Sequence, residues 1–270
     1  IECVGTLVEL DKLKSATSTL PMALYKSLSA LAESFGMQDE ALRYTEIMSS
    51  TSDNASGSNM SLHCTIRSMA LFLDRDGHPD LTLLRSQISS CKSQLEDNLK
   101  LPTVSVDEML VELAKLRKMT TKLLTHESKT EPGSVPDERC VVLCTTSFLC
   151  TDILLRCLKH VRESKSESVG SKLIVSFVSS SILSCSLLLI SFDDHVETVH
   201  KALQTCMNLL DLNPDSEAEH LVVNVSNLHW RCFQLSASIK GESSPQAILS
   251  LQASVDILRD RQAIHQDAGF

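Results

Sequence analysis

Apolar residues recur at steps of three and four along most of this chain, and sustained two-residue alternation is absent. Such spacing puts one oily stripe along a helical cylinder and predicts helices from end to end. Residues 104–128 are the plainest case. Val106, Met109, Leu113, Leu116, Thr120 and Leu123 form the stripe, while Glu108, Glu112, Lys115, Lys118 and Lys122 fall elsewhere on the cylinder. Ser105 followed by Glu108 reads as a capping box, each side chain satisfying a backbone N–H that the first turn leaves open.

Residues 217–239 repeat the pattern with Leu221, Val225, Leu228, Cys232, Leu235 and Ile239. A second row, Val223, Trp230 and Ala237, lies on another face, so this helix should touch neighbours on more than one side. Ser244 and Pro245 read as N-cap and first residue of a last helix carrying Ile248, Leu251, Val255 and Leu258. The stretches 194–210 (Val196, Val199, Leu203, Cys206, Leu210) and 60–74 (Leu62, Ile66, Met69, Leu73) behave alike. Helices are thus predicted near 3–14, 20–35, 38–49, 59–74, 79–98, 104–127, 138–164, 170–191, 194–210, 217–239 and 245–263.

Polar stretches interrupt the series at 49–59, at 129–137 with Pro132, Gly133 and Pro136, and at 213–217. The expected organisation is therefore a block of helical hairpins over 1–128 with a polar loop at 49–59, and a linker at 129–137. A second block over 138–270 would continue the first. Connections of a few residues force successive helices antiparallel. Such a series builds either a globular bundle or an α-solenoid, and long helices apolar on several faces favour the solenoid, with degenerate repeats.

Composition agrees with an all-α reading. Of 270 residues only 8 are Gly and 7 Pro, and aromatics make up 4%, too few for many turns and strands. A formal net charge of −9 argues against a general nucleic-acid binder or a basic membrane-surface module. The 10 cysteines sit within apolar helical stretches of a long chain, as expected of small hydrophobes in a reducing compartment rather than of a disulfide framework. The chain begins at Ile1, so a piece of a longer parent is expected.

Residues 173–192 run without a charge for the length that spans a bilayer. Seven of them are Ser, no basic cluster flanks them, and Asp193 and Asp194 follow at once. The expectation is a helix buried between neighbours, the most buried of the series, with small Ser side chains allowing close approach.

Candidate chemistry is thin. Cys140 and Cys144 share a helix face, but Cys150 and Cys157 point elsewhere, so four sulfurs cannot converge from one helix on a metal. His195 and His200, five apart, diverge by about 140° around a helix, which disfavours a shared ligand pair. His229 beside Trp230 reads as a structural histidine, and Asp193–Asp194 as helix capping. Ser244-Pro245 is a minimal proline-directed phosphorylation dipeptide, and capping is the favoured explanation of the same two residues. No phosphate-cradling glycine motif occurs, and no catalytic residue, cofactor or metal is expected.

Residues 24–48 resemble a tetratricopeptide (TPR) helix pair, with Leu28, Leu31, Ala32 and Phe35 on the first helix, Gly36 at the turn, and Ala41 and Tyr44 on the second. The pair is shorter than the repeat consensus. The same segment, with 224–237 and 251–270, is also similar to the helical-repeat region of fungal separases, the cysteine proteases that open cohesin rings. The three stretches contain no invariant motif. The resemblance implies a parent whose solenoid binds securin and whose protease domain lies outside this chain, and hence a nuclear and cytoplasmic location.

The expected function is a non-catalytic scaffold presenting a groove to an extended protein segment, with securin the candidate segment, or else a TPR-like adaptor of another assembly. Nucleic acid and membrane are not expected partners. Trp230 is the anchor candidate, because Trp is enriched at interface hot spots. A catalytic all-α bundle would need clustered acidic motifs on facing helices, which the chain lacks. A membrane-inserted helical protein would rest wholly on 173–192.

Overall fold

The computed structural model describes residues 22–52, 59–75, 80–97, 106–130, 137–163, 171–189, 195–212, 219–240 and 245–267. Ten α-helices and no strand occur among them: α1 (Met22–Ser34), α2 (Gln38–Ser52), α3 (Asn59–Arg75), α4 (Leu81–Asp97), α5 (Val106–Thr130), α6 (Glu138–Glu163), α7 (Ser171–Leu188), α8 (Val196–Asp211), α9 (Glu219–Lys240) and α10 (Pro245–Asp267). The protein is all-α. The helix expected at 3–14, the capping serines Ser105 and Ser244, and Asp193–Asp194 lie outside the described residues.

The chain divides into two compact units, Ile1–Met119 and Thr120–Phe270. The division falls inside α5, which extends to Thr130.

In the first unit, α1 packs on α2, α2 on α3 and α3 on α4. Tyr25, Leu28, Tyr44, Met48 and Cys64 form one buried cluster, and Ala32, Ala41 and Leu71 a second. The α1–α2 turn has a local cause. Gly36 at φ +72 is the left-handed residue of a Schellman stop: its N–H bonds Glu33 O at 3.0 Å, and the Met37 N–H bonds Ala32 O at 2.9 Å. Leu31 and Phe35, expected on the hairpin's apolar face, are exposed, because Leu28 and Ala32 fill the seam against α2.

In the second unit each helix packs on the next, α6 on α7 through to α9 on α10. Each also touches the next but one: α6 with α8, α7 with α9, and α8 with α10. Asp137 caps α6, its carboxylate accepting the Cys140 N–H at 2.8 Å. The α8 stripe expected from spacing (Val196, Val199, Leu203, Cys206, Leu210) is buried throughout.

Helix α7 is not the most buried. The most apolar 18-residue stretch within Glu138–Val161 of α6 is 72% buried, against 44% of Ser171–Leu188. The reason is that α6 carries apolar residues all round, including Val142, Leu143, Ile153 and Leu154, whereas α7 buries one broad face. On that face serine hydroxyls find partners: Ser180 with Thr121 at 2.7 Å, Ser181 with Thr151 at 2.6 Å, and Ser184 with the carbonyl of Ser180 at 3.0 Å. Paired hydroxyls let helices approach closely without stranding a polar group. By length and composition alone, α6 and α7 are both long and apolar enough to cross a membrane.

Candidate functional site

Two side-chain constellations stand out, one in each unit. In the first, Arg67 projects from α3 into the seam between α1 and α5. Its Nη1 donates to Glu112 Oε1 at 2.6 Å, its Nη2 to Glu33 Oε2 at 2.7 Å, and its Nε to Ser29 Oγ at 3.2 Å. Lys115 Nζ donates to Glu33 Oε1 at 2.8 Å and lies 3.5 Å from Glu112 Oε1. Two cations and two carboxylates make a neutral set in which each guanidinium nitrogen has an acceptor, the arrangement that offsets the cost of burying charge. Burial by itself would raise the Glu33 carboxyl, but the Lys115 hydrogen bond and the Arg67 and Lys115 charges outweigh it and hold the carboxyl below its usual range.

Around this set, Ser29 Oγ also meets Thr45 Oγ1 at 3.0 Å, and exposed Lys26 pairs with Glu108 at 2.6 Å. His63 is buried, and desolvation lowers its pKa. With its donors and acceptors engaged with one another, the set is chemically a clamp holding α1, α3 and α5 together.

The periodicity of α5 gave no hint of this, since Glu112 lies off the apolar stripe and yet is buried. Arg67 likewise lies off the α3 stripe of Leu62, Ile66, Met69 and Leu73, so spacing gave no signal for it either.

In the second unit, Trp230 is 45% exposed on α9, with Val223 two turns earlier at 45%. Phe233 stacks tilted against Trp230 with ring centroids 5.5 Å apart. The α9 surface thus carries the second apolar row that spacing assigned to it, but no helix among the described residues covers Trp230 or Val223. Ile248 and Val255, expected to face inward on α10, are exposed. The α9–α10 contact runs instead through Ser226 and Ser254, whose hydroxyls meet at 3.0 Å.

Next to Trp230 in the chain, His229 is fully buried, and its ring stands T-shaped to that of His200 on α8, with centroids 5.2 Å apart and planes at 71°. Burial and the neighbouring His200 lower His229 to about 4. Sequence spacing weighed His200 against His195, whereas the fold pairs it across helices with His229.

None of the nine described cysteines is in a disulfide, and all are buried. Desolvation pushes Cys91, Cys157, Cys206 and Cys232 up to about 12, and the Cys140 thiol together with burial raises Cys144. Cys144 Sγ donates to Ser184 O at 3.6 Å. Among the described residues no three His, Cys, Asp or Glu side chains converge on a metal position.

No family model, no curated protein and no solved structure matches the chain. The fold and its two constellations therefore define it directly as an all-α protein of packed helices with a charged clamp in its first unit.

Proposed function

We propose that this chain is a non-catalytic helical-repeat scaffold that binds an extended segment of a protein partner. The observation that carries the reading is the packing order of the second unit, in which each helix meets its next and next-but-one neighbours. Stacked antiparallel helix pairs pack in this way, each layer burying its oily side on the adjacent layers. The first unit contributes a helical hairpin closed at Gly36, the segment whose sequence resembles a TPR pair.

Exposed Val223 and Trp230 on α9 offer apolar anchors, and a half-exposed aromatic is the type of group that dominates interface energetics. The narrower form of the proposal is a regulatory solenoid of the separase type, part of a longer nuclear and cytoplasmic chain, with securin as the bound segment. It is supported by the likeness of residues 24–48, 224–237 and 251–270. A TPR-like adaptor of another assembly shares the same surface.

The test is capture of partners by this chain from dividing-cell extract, read by mass spectrometry, beside the Trp230→Ala variant. Recovery of a securin that the variant recovers at least tenfold less supports the narrower form. Recovery of an unrelated assembly, with the same dependence on Trp230, supports the adaptor. Turnover of a small metabolite by the chain, or capture indifferent to Trp230, overturns the scaffold reading as drawn.

A further inference from the structure

Resting on the scaffold reading, we propose that the face of α9 and α10 carrying Trp230 takes an extended, polyproline II-like partner segment with an apolar residue at every third position. A partner helix and a second copy of this chain are the occupants it disfavours.

The two helices carry the same run of exposed side chains. Val223, Asn227 and Trp230 stand at i, i+4 and i+7 on α9, and Ile248, Gln252 and Val255 stand at the same steps on α10. All six are exposed. At about 100° per residue each trio falls within roughly 60° of arc, so each helix bears an apolar–amide–apolar row. The Ser226–Ser254 contact relates the rows. Each is turned in the same sense from its serine, and in an antiparallel hairpin this puts both on one face. His229, which meets His200 on α8, lies on the other side of Ser226, so that face is turned away from α8.

The amides select the occupant. A side-chain amide both donates and accepts, which matches the N–H and C=O of a peptide unit. Asn227 and Gln252 hold this capacity between the apolar residues of their rows. A helix has its own backbone groups bonded along its length and leaves such amides no backbone to meet, whereas a polyproline II segment keeps its groups open. The spacing agrees. Seven residues of helix rise about 10.5 Å, and three residues of polyproline II span about 9.3 Å on one side of the chain. Apolar side chains three apart therefore reach both anchors of a row. Exposed Arg231 flanks Trp230 and favours an acidic residue beside that anchor.

Trp230 is the only tryptophan of the chain, so its fluorescence reads occupancy of the face directly. The probe is a short proline-rich synthetic peptide with leucine at every third position and one aspartate, titrated to millimolar concentration. An alanine-rich helical peptide with leucines seven apart is its comparison. A saturable blue shift is expected with the extended peptide. Asn227→Ala and Gln252→Ala should each weaken it about threefold or more, with thermal midpoints unchanged. No shift, an equal response to the helical peptide, or indifference to both amide substitutions overturns the proposal. So does sedimentation of the chain alone as a dimer that Trp230→Ala makes monomeric, which would assign the face to a second copy. Trp230-dependent capture of a partner from extract without a peptide response overturns this inference alone and leaves the scaffold reading standing.

Discussion

Arg67 on α3 and Glu112 on α5 meet at 2.6 Å with side chains only 8% and 9% exposed. They lie 45 residues apart in sequence, and each would be a costly buried charge without the other. Arg67→Met strands Glu112 and part of Glu33, and it is expected to cost about 3–5 kcal/mol in urea unfolding. Adding Glu112→Leu should restore part of that loss, because replacing both ions of a buried pair by apolar groups is often close to neutral. Additive losses in the double variant would show that the two charges are not coupled.

Acid should weaken the protein through His229. Its folded pKa of about 4 lies below the 6.5 of an exposed histidine, so the unfolded chain binds more protons between those values. Stability is therefore full above pH 6.5, falls as pH drops toward 4, and is flat in this respect below that. The loss is about 3 kcal/mol at 1.36 kcal/mol per pH unit. Glu33, held low by Lys115 and Arg67, acts in the same sense across the more acidic carboxylate range. Denaturant midpoints measured from pH 7 to 4 should show the slope, and His229→Phe should reduce it between 6.5 and 4, leaving the smaller part that His63 and His200, lowered by desolvation too, contribute in the same sense.

Gly36→Ala isolates a backbone effect. A Cβ built at Gly36 meets nothing within 4 Å, so no clash arises. The cost is the left-handed φ of +72 alone, about 1–2 kcal/mol. Ser34→Ala on the same turn serves as a control for altered helix propensity. A Gly36→Ala loss below a few tenths of a kcal/mol would mean the α1–α2 turn re-forms without the Schellman stop.

The thiols provide a probe of core integrity. Nine cysteines are buried, and those with raised pKa values stay protonated at neutral pH. The folded chain should leave these nine unmodified by a thiolate-selective disulfide reagent at pH 8, and all nine should react once urea unfolds it. Rapid native-state labelling of Cys206 or Cys232 would show that α8 and α9 open locally.

Much of the fold is legible in the chain, because helical periodicity is a local signal. The α8 stripe and the α3 stripe Leu62, Ile66, Met69 and Leu73 are buried as their spacing indicates. The serines of α7 line its close contacts with α6 and with Thr121, as small side chains in an apolar helix should. Where apolar rows lie on two faces of one helix, spacing cannot say which row gains a neighbour. Hence Trp230 and Val223 on α9, Ile248 and Val255 on α10, and Leu31 on α1 with Phe35 just past its end are exposed although their periodicity matches that of buried residues.

The sequence by itself determined that this protein is all-α, where the described helices run, that Gly36 ends one of them, and that the nine described cysteines are core residues. Each of these follows from residues within a turn or two of one another. Only the tertiary structure decided that Arg67 finds Glu112 and Glu33, and that His200 faces His229 rather than His195. It also left Trp230 exposed. Such pairings depend on where helices distant in sequence cross, and neither charge nor spacing within one helix encodes that crossing.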